Sequence, residues 1–345
     1  MNTRQYMDAV FGNDDTRRSL GQSIETGVLS HALLIEGDIG SGKRTLASEI
    51  AMSLLCENRE NRSYPLPCRT CRACHLVKEG LAPDVHYIRR GDKATLGVDA
   101  VREMIEDTAM ASVEFDTKLY IFEDAEAMTV QAQNALLKVM EEPPEGVKLL
   151  LLTQSADSLL TTVRSRVRLV RMQRFSLSEI ERYLEQNKPS LLSQDRAEAQ
   201  AVLLTAGGSI GQAISLLSPE SRTAVKKSRE EILSILSALT QSSYAPLFSA
   251  LGALSQKREE LSRALLLLHT ALRDLILLKR AETPPLSFFT APDTVPEPLS
   301  ALRIGVLFAF TDAIEKTLRE LERNANVQAS LTALAAALRN AKKER

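Results

Sequence analysis

Residues 31–45 contain a loop whose residue types and spacing are those of a phosphate-binding site. They read His-Ala-Leu-Leu-Ile-Glu-Gly-Asp-Ile-Gly-Ser-Gly-Lys-Arg-Thr, so an apolar run ends at Gly37 and four residues separate Gly37 from Gly42 and Lys43. In this G-x-x-x-x-G-K pattern, backbone amides and a lysine hold phosphates at the N-terminus of a helix. Gly37, Gly40, Gly42 and Lys43 are therefore candidate nucleotide-binding residues, and we call residues 37–43 the phosphate loop.

The position after Lys43 departs from the pattern. A Ser or Thr there supplies the hydroxyl that holds Mg²⁺, but this chain has Arg44. Thr45 is a poor substitute, because one step along a helix rotates a side chain by about 100°. Asp38 also places a negative charge where a phosphate would lie. The pattern thus predicts a degenerate site with doubtful ATP and magnesium binding, in which the Arg44 guanidinium partly replaces the cation.

The four cysteines of the chain form a second candidate site. Cys68, Cys71 and Cys74 follow a C-x-x-C-x-x-C spacing, and Cys56 precedes them by 12 residues. Four thiolates in a tetrahedron are a closed, structural zinc site without an open position for chemistry. Buried free thiols or disulfides are the alternative interpretation, and His75 is a rival fourth ligand beside Cys74. We expect Cys56 to complete the set and the zinc to stabilise an insertion.

Composition restricts the class of protein. The 345 residues are 44% apolar and 25% charged with a net charge of −1, which favours a globular chain of two or three domains. Strong nucleic-acid binders usually carry a basic excess, so DNA contact is expected only through a larger assembly. The N-terminus lacks a signal-like apolar stretch and no apolar run reaches 18 residues. A cytoplasmic location with reduced cysteines and without membrane contact follows as an expectation.

The first half of the sequence alternates strands and helices. Short apolar runs suit a parallel sheet covered on both faces, and the phosphate loop lies where such folds bind ligands. The prediction is a doubly wound α/β domain. Its strands are expected at 32–36, 85–89, 119–123, 149–153 and 167–172, and its helices at 43–55, 98–110 and 130–142.

The second half is predicted to be wholly helical. Ser176 and Glu179 form a capping-box pattern that starts this region. We place a zinc-bearing α/β domain at 1–172 with its insertion at 56–74, a small helical lid at 173–218 and a helical C-terminal domain at 219–345. Helical segments are expected at 261–280, 304–323 and 331–338, with an irregular, proline-rich connection at 282–298.

These motifs, in this order, resemble the bacterial clamp-loader subunits of DNA polymerase III, which are AAA+ proteins. The resemblance covers roughly the first 215 residues and includes the phosphate loop followed by four cysteines. The other matching runs are 31–37, 96–102, the Asn-Ala-Leu-Leu-Lys-Val-Met-Glu-Glu-Pro-Pro run at 134–144, and Ser165-Arg166-Val167, with Val where the family has Cys. The C-terminal part agrees in helicity and in short pieces such as Asn324-Ala-Asn326.

The family contains ATPase motor subunits, gamma and tau, and a stator subunit, and the departures favour the stator. A motor needs an Asp-Glu pair after its third strand for the metal and the water, but here the order is Glu123-Asp124. The resemblance also implies a sensor arginine where this chain has Gly211. Thr153 stands at the remaining sensor position. The alternative is that both carboxylates are merely a polar strand end.

Arg166 is the family residue that this chain keeps. The resemblance implies that it acts as an arginine finger on a neighbouring subunit's ATP site, a group worth about 10³–10⁵ in turnover. Its alternative role is a solvated cation between Arg164 and Arg168 on a strand edge.

The resemblance therefore implies a non-hydrolysing stator that joins gamma/tau and delta subunits in a hetero-oligomeric ring, with 219–345 as the collar that holds the ring together. Through that complex it would act on the sliding clamp and primed DNA. A working gamma/tau-like ATPase is the alternative, against which Arg44, Glu123 and Gly211 count. A zinc-dependent nucleic-acid-binding module is a weaker third interpretation, because Arg69 and Arg72 in the knuckle have no stacking aromatic beside them.

Overall fold

The structure is a computed structural model that describes residues 4–192, 203, 206–241, 243–281, 284, 286, 288, 289, 292–322 and 325–343. The chain divides into two compact units. The first comprises 1–174 together with the short segment Ser209–Gly211, and the second comprises 175–208 and 212–345. The further subdivision into a lid at 173–218 and a collar at 219–345 stays a prediction.

A five-stranded, wholly parallel sheet forms the centre of the first unit. Its strand order is β2-β3-β4-β1-β5. The strands are β1 (Ala32–Glu36), β2 (Val85–Ile88), β3 (Lys118–Phe122), β4 (Val147–Thr153) and β5 (Arg168–Arg171). All five predicted strands are present with ends within two residues of the expectation, so the predicted α/β class is confirmed.

Helices cover both faces of this sheet. They are α1 (Asp14–Glu25), α2 (Lys43–Leu55), α3 (Arg72–Lys78), α4 (Val98–Thr108), α5 (Val130–Glu141) and α6 (Thr161–Arg164). The prediction for α2 has the observed ends. Helix α4 stops two residues earlier than expected and α5 one residue earlier, while α1, α3 and α6 were not predicted from periodicity.

Alternate side chains of the three central strands, β1, β3 and β4, enter two separate apolar cores. Leu33 and Ile35 of β1 pack with residues of α1, α2 and the cysteine segment. Ala32 and Leu34 point to the opposite face and pack with residues of α4 and α5. Since successive side chains of a strand point to opposite faces, a sheet buried on both sides needs continuous apolar strands. That requirement explains the apolar runs in the sequence.

The second unit is helical, with a core of its own. Its helices are α7 (Leu177–Asn187), α8 (Ile210–Leu217, whose first two residues belong to the first unit), α9 (Pro219–Thr240), α10 (Ala245–Gly252), α11 (Arg258–Leu278), α12 (Glu297–Ser300), α13 (Ile304–Glu322) and α14 (Val327–Lys343). The predicted capping box is present: Ser176 caps the N–H of Glu179, and the Glu179 carboxylate accepts from Ser176.

The connection predicted at 282–298 is not irregular throughout its described part, because a 3₁₀ turn (Pro292–Thr294) and the start of α12 lie within it. Pro298 is compatible with α12 since it lies in the first turn, where a helix needs no N–H. Asn324 of the predicted Asn-Ala-Asn piece lies outside the described residues. Among the described helices, none has the length and apolar composition needed to cross a bilayer.

Candidate functional site

The residues predicted to bind nucleotide lie at the carboxyl edge of the sheet. The phosphate loop follows β1, Glu123 and Asp124 follow β3, and Thr153 ends β4. Carboxyl ends of parallel strands share one edge of a sheet, and ligands of such folds bind there. The fold therefore brings together the groups that the sequence pattern selected.

The phosphate loop has the backbone conformation that its glycines permit. Gly40 and Gly42 have φ of 74° and 95°, in the left-handed region that favours glycine. A Cβ at Gly37 would lie 2.6 Å from Ser41 Oγ and 2.8 Å from Met172 Cβ. Gly42 is the residue that precedes α2, so the N-terminus of this helix faces the loop. The loop thus keeps the form of a phosphate cradle.

Lys43 is bound to the loop itself. Its Nζ donates hydrogen bonds to the carbonyl oxygens of Gly37 at 2.5 Å and Asp38 at 2.9 Å. Burial lowers the pKa of the Lys43 ammonium, and the nearby carboxylates of Glu126 and Asp38 oppose that shift. The group that would contact a phosphate is thus satisfied by backbone oxygens.

Arg44 forms an ion pair with Glu123, at the positions where a motor has its metal-binding hydroxyl and carboxylate. Arg44 Nη2 lies 2.8 Å from Glu123 Oε2, and Arg89 Nη2 lies 2.7 Å from Glu123 Oε1. The Glu123 side chain is only 7% exposed, whereas that of Arg44 is 69% exposed. Both carboxylate oxygens of Glu123 therefore have a guanidinium partner, and the charge is compensated without a metal ion.

Two further ion pairs engage the remaining acidic groups. Arg90 Nε lies 3.6 Å from Asp124 Oδ2. The Asp38 carboxylate accepts two hydrogen bonds from Arg174, at 2.6 and 3.1 Å. Asp38, the unexpected negative charge of the loop, is thus paired with a cation from the end of the first unit.

The segment Ser209–Gly211 lies directly on the phosphate loop. Ser209 Oγ donates to the Ile39 carbonyl at 2.8 Å, and the Gly211 N–H donates to the Gly40 carbonyl at 2.9 Å. A Cβ at Gly211 would lie 2.6 Å from the Gly40 oxygen and 2.7 Å from its Cα. The position where the resemblance implies a sensor arginine is therefore in backbone contact with the loop, without room for a side chain in this arrangement.

The two threonines singled out from sequence have different surroundings. Thr45 is exposed on α2. Thr153 is fully buried, and its hydroxyl donates to the Ser155 carbonyl at 2.9 Å and accepts from the Ser155 N–H at 3.2 Å. Its hydroxyl is thus used within the turn that follows β4.

The four cysteines converge on one point. Their sulfur atoms all lie within 4.8 Å of one another, and all four residues are buried. Cys68 Sγ and Cys74 Sγ are 4.0 Å apart, close to the roughly 3.8 Å that a tetrahedron with Zn–S bonds of about 2.3 Å gives. The cysteines are not disulfide-bonded. The cluster, Cys56, Cys68, Cys71 and Cys74, can hold a metal ion, and His75 is exposed on α3 outside it.

Hydrogen bonds lower the pKa of Cys56 and Cys68, whereas burial raises the pKa of Cys71. The amide of Asn58 donates to Cys68 Sγ at 3.4 Å, and the Cys74 N–H donates to Cys71 Sγ at 3.5 Å. The thiol of Cys74 serves as a donor to Cys56, which lowers the pKa of Cys56 to about 5 and raises that of Cys74. A thiolate is the form that binds metal.

Buried charges attach the cysteine segment to the α/β domain. Arg69 Nη2 lies 2.7 Å from Glu49 Oε2, a carboxylate of α2 that is almost fully buried, and it also contacts Asp8. The buried Arg4 guanidinium donates to backbone oxygens of residues 58–64 and to Glu25. The cysteine cluster is therefore fixed to the helix that begins at the phosphate loop.

Arg166 lies at the end of α6, on the surface of the first unit. Its Nη2 lies 2.6 Å from Glu141 Oε1, and its Nη1 donates to the Thr162 carbonyl at 2.9 Å. The side chain is 35% exposed. Arg164 instead pairs with Asp157, and Arg168 donates to the hydroxyls of Ser19 and Ser23 on α1.

Several partners in these contacts were not selected from sequence: Arg89, Arg174, Ser209 and Glu141. Arg89 had a usable signal, because it follows β2 as Glu123 follows β3, and these two strands are neighbours in the sheet. Ser209 lies 170 positions from its acceptor, and local sequence patterns do not specify such a contact.

Comparison with known proteins shows that part of the chain is similar to a known family. Residues 12–176 match the family model described as DNA polymerase III, delta subunit. Over these residues, the chain is similar to the DNA polymerase III delta-subunit family.

Curated relatives carry names of the same polymerase. The chain is 34% identical to the delta' subunit of Haemophilus influenzae over 147 residues, which cover 43% of this chain and 44% of that protein. It is 34% identical to the delta' subunit of Bacillus subtilis over 169 residues, covering 49% and 50%. It is 30% identical to the gamma subunit of Buchnera aphidicola over 215 residues, covering 62% and 58%. The chain thus spans about half the length of the curated relatives it matches.

The contact of Gly211 with the loop gives a first prediction. We expect Gly211→Ala to destabilise the first unit by about 1–3 kcal/mol, because the added methyl group overlaps the Gly40 backbone. Thermal or urea unfolding measures the change. Gly252→Ala is the matched control, since a Cβ there meets nothing within 4 Å, and it should leave stability unchanged or slightly raised. Equal stability of the Gly211→Ala variant and the parent chain would show that 209–211 does not rest on the loop.

Proposed function

We propose that this chain is the delta-prime subunit of a bacterial DNA polymerase III clamp loader, a stator that does not hydrolyse ATP. It joins gamma/tau and delta subunits in a ring and helps to place the sliding clamp on primed DNA. The observation that carries this proposal is the ion pair between Arg44 and Glu123. The family match over residues 12–176 and the delta' relatives support the same assignment.

Electrostatics explains why this pair opposes hydrolysis. An NTPase of this type holds Mg²⁺ with a loop hydroxyl and an acidic residue after the third strand. Here a guanidinium occupies the first position and neutralises the second, with Arg89 on the other carboxylate oxygen. A divalent cation at this point would meet two guanidinium groups and have no hydroxyl ligand. ATP hydrolysis in the complex is therefore assigned to the partner subunits.

A gamma/tau-like ATPase is the second candidate, because a gamma subunit is among the relatives at 30% identity. The contact of Gly211 with Gly40, at the position where the resemblance implies a sensor arginine, weighs against it. In a motor, the lysine and a sensor arginine would both face the nucleotide.

We also assign residues 219–345 to a collar that assembles the ring, and we place the protein in the cytoplasm.

We further propose that the cysteine cluster binds one structural zinc ion. Four buried sulfurs within 4.8 Å of one another fit a closed tetrahedral site. The metal would join the end of α2 to the knuckle at 68–74 and leave no coordination position for catalysis.

Metal analysis tests this assignment. Protein prepared without added metal should contain about one zinc per chain, and Cys68→Ser should release it and loosen residues 56–80 while the sheet stays folded, because the cluster lies outside the sheet. His75→Gln is the control and should retain the metal. A disulfide in this segment, no bound metal in the parent chain, or zinc loss in the His75→Gln variant would contradict the proposed ligand set.

Arg166 is proposed to act in trans as the arginine finger of a neighbouring ATP site. It is the charged group of the family motif that this chain keeps, and its side chain, two residues after the end of α6, is 35% exposed. A cation there would neutralise the charge that builds on the transferred phosphoryl group.

The reconstituted clamp loader provides the test. Arg166→Ala should lower the clamp- and DNA-stimulated ATP turnover of one partner site by about 10³-fold or more. Fold and assembly should be unchanged, because exposed ion pairs contribute little stability. Arg166→Lys should restore little, since an ammonium lacks the planar fork of a guanidinium.

Two variants with the same charge change control for general electrostatics. Arg164→Ala and Arg168→Ala should each leave the stimulated ATPase close to that of the parent complex. If all three alanine variants lower turnover equally, the effect comes from net charge and the assignment of Arg166 is wrong.

A further inference from the structure

The Arg166 guanidinium is held by its own chain. Glu141 Oε1 lies 2.6 Å from Arg166 Nη2, while Nη1 donates to the Thr162 carbonyl at 2.9 Å and to Ser165 Oγ at 3.3 Å. Glu141 is the last residue of α5, and Thr162 and Ser165 lie in and directly after α6. Both terminal nitrogens of the guanidinium therefore have partners within the subunit.

Pairing with a carboxylate removes the property on which an arginine finger depends. A finger acts by placing positive charge against the transferring phosphoryl group. With Glu141 at 2.6 Å, the pair presents nearly zero net charge to a triphosphate, and the carboxylate itself repels the phosphate oxygens. The Glu141 contact and the phosphate contact thus compete for the same nitrogen.

We propose that Glu141 is a positioning residue that retains Arg166 on its own subunit until nucleotide in the neighbouring site competes for it. This inference rests on the proposed role of Arg166 in trans. The Glu141 side chain is 51% exposed, and an exposed ion pair shifts an equilibrium by at most about fivefold. A finger contributes about 10³–10⁵ in turnover. The ion pair is therefore weak enough for nucleotide in the neighbouring site to displace Glu141 from Arg166. Its strength sets the threshold at which Arg166 contacts that nucleotide.

Neutralising Glu141 should lower that threshold. In the reconstituted complex at low salt and subsaturating ATP, Glu141→Gln should raise turnover by about two- to fivefold, with the gain shrinking at high ionic strength because salt screens the pair. Glu142→Gln is the matched control, since it makes the same charge change one residue further along, and it should leave turnover unchanged. Thermal unfolding of both variants should match that of the parent subunit.

The Arg166→Ala variant distinguishes the proposed role of Glu141 from the proposed role of Arg166, on which it rests. If Glu141 acts through Arg166, Glu141→Gln has no effect on turnover in that background. A gain that persists there, an equal gain from Glu142→Gln, unchanged turnover of Glu141→Gln, or a loss of turnover would each overturn the role of Glu141. An Arg166→Ala complex with full activity would instead overturn the proposed finger itself.

Discussion

The ion pair between Arg44 and Glu123 is the interaction on which the character of this molecule depends. Burying a carboxylate as deeply as that of Glu123 destabilises the folded chain unless an opposite charge and hydrogen bonds compensate it. Arg44 and Arg89 supply that compensation from two directions. The two residues that depart from the sequence pattern, Arg44 and Glu123, thus form one physical feature, because each neutralises the charge of the other.

The same principle extends through the phosphate loop. Its carbonyl oxygens accept hydrogen bonds from Lys43, Ser209 and Gly211, and the Asp38 carboxylate is paired with Arg174. Through these contacts the loop connects β1, α2 and the 209–211 segment. The cysteine cluster lies at the other end of α2, to which Arg69 attaches it through Glu49. Helix α2 therefore connects the phosphate loop at its N-terminus with the cysteine cluster at its C-terminus.

Local sequence patterns predicted the features that local physics determines. The strands follow from apolar runs, the ends of α2 from the loop and the apolar run after it, and the capping box from Ser176 and Glu179. The cysteine cluster was predictable because three of its members lie on one short knuckle. Helix α1 was not, since only three of its 12 residues are buried. The contacts of Glu123 with Arg89, of Arg166 with Glu141 and of Ser209 with Ile39 depend on which strands and helices become neighbours. No spacing along the chain encodes them, so the charge balance of the site emerged only from the three-dimensional arrangement.

The most direct test of the account is ATP turnover by the isolated chain in the presence of Mg²⁺, measured beside a Lys43→Ala variant of equal purity. If the charges of the phosphate loop are satisfied by the chain itself, both proteins hydrolyse ATP at the same background rate, and turnover does not depend on magnesium. Magnesium-dependent turnover that disappears on Lys43→Ala would show a working nucleotide site, and it would contradict the assignment of this chain as a non-hydrolysing stator.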